Sequence, residues 1–134
     1  MTDIYTSLTV AVVDEDQRVL ESLGNLLESA DYTASLFASA AAFLESGCLM
    51  HIGCLISDID MPAMDGFELL RAVRARRAEL PVILITAHPD LLDRLPSIGL
   101  GLCRMFNKPF DAQELLAAVS DALPAPGPRK PQCL

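Results

Sequence analysis

The stretch from Cys54 to Leu70 constrains this chain more than any other. An apolar run, Cys54-Leu55-Ile56, leads through Ser57 into Asp58, and a loop punctuated by Pro62 and Gly66 follows. From about Asp65, apolar residues recur at helical spacing. This is the pattern of a buried strand that turns sharply into a helix lying back across its sheet. A carboxylate at the carboxyl end of such a strand sits where open α/β sheets bind ligands. Read by itself, Asp58 serves equally well as the cap of a turn.

The same alternation runs through the rest of the sequence. Leu8–Val13 is a β-rich apolar run that stops at Asp14-Glu15-Asp16. Val19, Leu23, Leu26, Leu27 and Ala30 then mark an amphipathic helix, with Asp16 placed to cap it. Tyr32–Phe37 reads as a second strand, Ser39–Glu45 as a short helix, and Gly47–Gly53 as a loop, with the central strand beginning at Ile52. The third helix carries Phe67, Leu70 and Val73 on one face; Arg71, Arg74, Arg76 and Arg77 read as its solvated, basic face. Pro81–Ala87 is the clearest strand and ends in a hydroxyl, Thr86. His88-Pro89-Asp90 resembles a helix start, but Pro96, Gly99 and Gly101 predict a short or bent element, since an interior proline costs about 3 kcal/mol. Leu102–Asn107 is the last strand. Asp111 caps a final helix with Leu115, Leu116, Val119, Ala122 and Leu123 inward. Strands alternating with helices five times predict a doubly wound parallel sheet of five strands. Residues 1–123 form that domain, and 124–134, with four prolines in eleven residues, read as a tail or linker.

Composition narrows the function. Net charge is −8, so a duplex repels the domain and direct nucleic-acid binding is not expected. No apolar run approaches the ~18 residues of a spanning helix, and the first residues lack a secretion signal, which predicts a cytoplasmic protein without membrane contact. Cys48, Cys54, Cys103 and Cys133 form no C-x-x-C pair; Cys54 and Cys103 read as small core residues and Cys133 as a free thiol in the tail.

In the expected sheet, Asp14, Glu15, Asp58, Thr86 and Lys108 all fall at the carboxyl edge. Each has an ordinary reading as a turn residue or surface charge, yet their convergence makes chemical sense. Carboxylates about 4 Å apart repel by roughly 4 kcal/mol at an effective dielectric near 20, so positive charge must relieve them. Lys108 supplies one charge and a hard divalent cation suits the rest. Asp58 is then available as a nucleophile toward a phosphoryl group.

On these residues the chain resembles a response-regulator receiver domain of two-component signalling. The resemblance covers about Leu8 to Leu123 and rests on Asp58-Ile59-Asp60-Met61-Pro62-Ala63-Met64-Asp65-Gly66, the acid pair, Thr86-Ala87 and Lys108-Pro109-Phe110. It implies a (βα)5 flavodoxin-like three-layer sandwich on a parallel five-stranded sheet of order 2-1-3-4-5. It implies Asp58 as phospho-acceptor, Glu15 and Asp14 as direct and water-mediated magnesium (or manganese) ligands, and the Asp60 main-chain carbonyl as a further ligand. It implies Thr86 as the switch hydroxyl, the Ala87 main chain on a phosphoryl oxygen, and Lys108 as partner first of the acceptor and then of the phosphate. It implies as donor a sensor histidine kinase or a histidine phosphotransfer protein. It also implies output through the face of the fourth helix, fifth strand and fifth helix, which is equally a candidate surface for homodimerisation. Asp60 and His88 match positions that tune phosphoryl lifetime. No enzymatic activity is implied beyond the domain's own phosphorylation and dephosphorylation.

Two departures stand out. Met105 occupies the position where the family often has an aromatic residue, and Phe106, its neighbour, points to the opposite side of a strand. Pro96 and the nearby glycines alter the fourth helix. Two rivals follow from the same residues. One is a pseudo-receiver that binds partners without phosphate. The other is a haloacid-dehalogenase-like phosphatase built on the Asp58-x-Asp60 pair, although its metal acids would follow the lysine rather than precede it.

Overall fold

The computed structural model describes residues 9–88, 90 and 103–123. Five strands, β1 (Thr9–Val13), β2 (Thr33–Phe37), β3 (Cys54–Asp58), β4 (Val82–Thr86) and β5 (Cys103–Asn107), form one parallel sheet in the order β2-β1-β3-β4-β5. Among the described residues four helices cover it: α1 (Gln17–Ser29), α2 (Ala40–Ser46), α3 (Gly66–Arg76) and α4 (Ala112–Ala122), with a single 3-10 turn at Cys48–His51.

The sheet is hydrophobic on both faces because both are covered. Ala11, Val13, Leu55, Val82 and Leu84 pack with Phe43 of α2 and with Phe67, Leu70 and Val73 of α3. Val10, Val12, Ile56, Ile83 and Ile85 pack on the other side with Leu20, Leu23 and Leu27 of α1 and Leu115 and Val119 of α4. All five residues of β3 and of β4 are buried, whereas the outer strands β2 and β5 alternate between exposed and half-buried positions. Continuous apolar runs therefore mark the middle of the sheet and weaker alternation its edges. This is the doubly wound three-layer arrangement and strand order that the sequence predicts.

The helix starts are set by short polar side chains. Asp16 accepts from the Arg18 amide, Ser39 from Ala42, and Asp111 from Gln113 and Glu114. Asp65 and Glu68 form a reciprocal capping box at the head of α3.

Two expectations need correction. The central strand begins at Cys54 rather than Ile52, because the Ile52 carbonyl accepts from the Arg77 guanidinium instead of joining the ladder. The basic run of α3 is not a uniformly solvated face. Arg74 Nη1 donates to the Leu80 carbonyl at 2.6 Å, and Arg77 Nη1 donates to the Leu49 and Ile52 carbonyls at 3.0 and 2.7 Å. At α4 the expected inner face holds: Leu115, Val119 and Leu123 are buried, half-buried Leu116 and Ala122 pack against them, and Ala118 joins the core beside them. The bent helix expected across Pro96, Gly99 and Gly101, the Pro124–Leu134 tail with Cys133, and the first eight residues lie outside the described residues. Cys54 and Cys103 both line the core; burial pushes their thiols up to about 12 and about 11 respectively.

Candidate functional site at the carboxyl edge of the sheet

Strand register brings the polar residues together. Val13 pairs with Ser57, Asp58 with Ile85, and Thr86 with Asn107. Asp14, Asp58, Thr86 and Lys108 thus fall at or one residue past the ends of four adjacent strands. The Lys108 amide donates to the Thr86 carbonyl at 2.7 Å, tying the end of β5 to that of β4. The Lys108–Pro109 peptide is cis.

At the centre of this edge, Lys108 Nζ lies 3.0 Å from Asp58 Oδ1 and 3.5 Å from Asp14 Oδ2. Both carboxylates are buried, their side chains only 5% and 3% exposed, while the lysine side chain is 29% exposed. The other Asp14 oxygen accepts from the Asp16 amide at 2.9 Å, which fixes that carboxylate toward the lysine. Burial raises the Asp58 carboxyl above its ordinary range, with the Asp14 and Asp60 charges adding to the rise and the Lys108 hydrogen bond opposing it. Burial by itself would lower the Lys108 ammonium, but the hydrogen bond it donates to Asp58 and the charges of Asp14 and Asp58 outweigh it, so the ammonium is held above its usual value. Two buried carboxylates facing one ammonium leave negative charge uncompensated.

A second group lies alongside. The Asp60 carboxylate meets His88 Nδ1 at 3.1 Å and accepts a long contact from Thr86 Oγ1 at 3.5 Å through the same oxygen. Thr86 is fully buried, and its hydroxyl accepts from the His88 amide at 2.9 Å. The resemblance assigns the Asp60 main chain to the metal and counts Asp60 and His88 among positions that tune phosphoryl lifetime; the structure brings their side chains into contact. Nothing local signals this contact, because Thr86 and His88 lie 26 and 28 residues from Asp60. Ala87 is exposed next to the Thr86 hydroxyl, and Glu15 is exposed at the rim beyond Asp14. Among the described residues, no three acid, histidine or cysteine side chains are spaced to hold a metal ion. Met105 packs with the Leu55–Leu84 side of the core and Phe106 with the Ile83–Ile85 side, so the two occupy opposite faces as strand geometry requires.

The donor set is made of hard oxygens with a negative excess, which fits a divalent cation such as magnesium in charge and ligand type. Buried beside a half-buried lysine, Asp58 is placed to act as a nucleophile toward an electrophile whose negative charge the lysine can take over.

Residues 10–120 match the family model described as "Response regulator receiver domain". The chain is 41% identical over 117 residues to the transcriptional regulatory protein FixJ of Azorhizobium caulinodans, covering 87% of this chain and 56% of that protein. It is 38% identical over 114 residues to the DNA-binding transcriptional regulator NtrC of Escherichia coli strain K12, covering 85% of this chain and 24% of that one. It therefore spans about half the length of FixJ and about a quarter of NtrC. Among solved structures, the apo receiver domain of nitrogen regulatory protein C superposes with a TM-score of 0.77 at 35% identity, covering 87% of this chain and 94% of that domain. A receiver domain protein of Clostridium thermocellum superposes at 0.78 with 26% identity, covering 94% and 98%. With its fold, its strand order and the greater part of its length matched in this way, the chain belongs to the response regulator receiver domain family.

Proposed function

We propose that the domain accepts a phosphoryl group on Asp58 and relays its presence through a change at Thr86. The observation that carries this reading is the Lys108 ammonium at 3.0 Å from Asp58 and 3.5 Å from Asp14, at the ligand-binding edge of a receiver fold. An Asp58 carboxylate oxygen attacks phosphorus, the donor's leaving group departs opposite it, and an acyl phosphate forms on Asp58. Lys108 pairs with Asp58 before transfer and with a phosphoryl oxygen after it. Asp14, Glu15, Asp58 and the Asp60 carbonyl are the residues that would hold a magnesium or manganese ion, whose chemistry is to neutralise charge on the transferring group.

The new group brings roughly one and a half to two negative charges and three acceptor oxygens beside Thr86. The Thr86 hydroxyl gives up its long contact to Asp60, donates to a phosphoryl oxygen with the Ala87 amide beside it, and biases the β5–α4 side of the domain, a candidate surface for output or homodimerisation. The chemistry at Asp58 suits a phosphohistidine donor, on a sensor histidine kinase or a histidine phosphotransfer protein, in the cytoplasm. No helix among the described residues is long and apolar enough to cross a membrane. Beyond its own phosphorylation and dephosphorylation the domain is not an enzyme; it works as a switch.

The test is incubation with a small-molecule phosphodonor and magnesium, followed by mass analysis of the intact chain. The expected result is one phosphoryl group per chain, absent in Asp58→Asn. A chain that takes up no phosphate while its partner binding persists would instead favour a receiver that works without phosphorylation.

A further inference from the structure

We infer that Gly66 is a positioning residue for Asp58: the head of α3 rests on the Asp58–Ile59 backbone, and the missing side chain at 66 is what lets it do so. This rests on the reading of Asp58 as phospho-acceptor.

A Cβ on Gly66 would lie 2.7 Å from the Asp58 carbonyl oxygen, 2.8 Å from Ile59 Cα and 3.2 Å from Ile59 Cγ1. The two closest atoms are backbone and cannot swing aside. Gly24 and Gly47 differ: the nearest neighbour of a Cβ at Gly24 is the flexible end of Leu36 at 3.2 Å, and at Gly47 nothing lies within 4 Å. Gly66 is not there for a left-handed backbone, since among the described glycines only Gly47 has a positive φ. It is there for space.

Neither side of this contact can retreat easily. On α3, Phe67, Leu69, Leu70 and Val73 are fully buried, and the capping box at Asp65 and Glu68 fixes the helix start. On β3, the Ile59 amide donates to the Ile85 carbonyl at 2.9 Å, the Ile59 carbonyl accepts from the Gly66 amide at 3.0 Å, and the Asp58 carbonyl accepts from Ser57 Oγ at 2.9 Å. The Asp58–Ile59 peptide is thus clamped between β4 and α3. An added methyl displaces that peptide, and the Asp58 carboxylate moves with it relative to Lys108 and Asp14.

In-line transfer is sensitive to such shifts; a misplacement of about 1 Å can cost about a hundredfold. Gly66→Ala is compared with Val73→Ala, which thins the same buried helix face about two turns farther on without touching Asp58. Rates are measured with a small phosphodonor at temperatures where both variants are folded, alongside amide spectra of the magnesium-free proteins and a magnesium titration. Gly66→Ala is expected to take up phosphate about tenfold to a hundredfold more slowly than wild type. It should also shift the Asp58, Ile59 and Lys108 amides before any metal is added and bind magnesium more weakly. Val73→Ala should match wild type in all three.

Equal rates and equal magnesium affinity in the two variants would overturn the inference. A wild-type protein that takes up no phosphate would overturn the reading of the site itself. If Gly66→Ala does not fold, Asp65→Ala loosens the same helix start without adding an atom. About threefold to tenfold slower uptake is expected of it, and an unchanged rate would overturn the inference equally.

Discussion

The two ends of the β3–α3 unit use charge in opposite ways. At the carboxyl end of β3, Asp58 and Asp14 are buried around a single ammonium, so negative charge is left over. At the other end, the guanidiniums of Arg74 and Arg77 are engaged by main-chain carbonyls: Leu80 for the first, Leu49 and Ile52 for the second. One end keeps its charges underpartnered and reactive. The other uses them to tie the exit of α3 to the turn that feeds β3. Charged side chains thus carry chemistry at one edge of the sheet and architecture at the other, and the difference lies in what they face: other charges, or carbonyls.

Replacing Lys108 should separate the two ends most sharply. Lys108→Met leaves two buried carboxylates facing each other, so phosphoryl uptake should fall by about a hundredfold, the scale for removing one preorganised electrostatic group. Stability should fall by about 2 kcal/mol, discounted from the cost of breaking a fully buried pair because the lysine is partly exposed. The Lys108 ammonium is held above its ordinary value in the fold, so its contribution is complete below about 10.5, the unfolded value, and disappears as pH rises through the folded one. Denaturant unfolding across pH should therefore show the wild-type advantage shrinking in strong alkali, and also in acid, where Asp58 and Asp14 lose the charge that the ammonium faces.

At the opposite end, Arg77→Ala should cost about 2 kcal/mol through two lost charged hydrogen bonds, with phosphoryl uptake unchanged in the folded protein. Arg71→Ala and Arg76→Ala, on exposed positions of the same helix, should stay within about 0.5 kcal/mol of wild type. Equal effects at all three positions would erase the distinction between structural and solvated arginines.

A smaller effect sharpens the account of the reactive end. Burial raises the Asp58 carboxyl in the folded state, so its ionisation opposes folding. Stability contributed by this group is fully present below the ordinary value of 3.8 and is lost as pH rises through the raised one. Asp58→Asn should accordingly be more stable than wild type at neutral pH, by about 1 kcal/mol or a few degrees in Tm, with the gap closing in acid. An Asn variant less stable at neutral pH would mean that Lys108 already compensates both acids.

Much of this was legible in the sequence because the informative segments are long and periodic. The runs ending at Val13 and Thr86 and the one carrying Asp58 could be placed because buried central strands are continuously apolar. That they pair in parallel followed from their alternation with helices, and their order from the resemblance to receiver domains. The candidate site residues Asp14, Asp58 and Thr86 were locatable because each closes such a run. What could not be read depends on partners distant in the chain. Arg77 looked solvated because the carbonyls it meets are 25 and 28 residues away. The Asp60 carboxylate contact with His88 and Thr86 was hidden for the same reason. Gly66 was recognised as a turn residue, but the need for an empty Cβ position appears only once α3 lies against Asp58.

The most direct test of the central claim is a residue-resolved amide spectrum followed through a magnesium titration and then addition of a small phosphodonor. The account predicts that magnesium first shifts residues 14, 15, 58 and 60, and that the donor then moves residues 86 and 108 together with β5. Magnesium shifts confined to acids elsewhere, or phosphate appearing on a carboxylate other than Asp58, would contradict it.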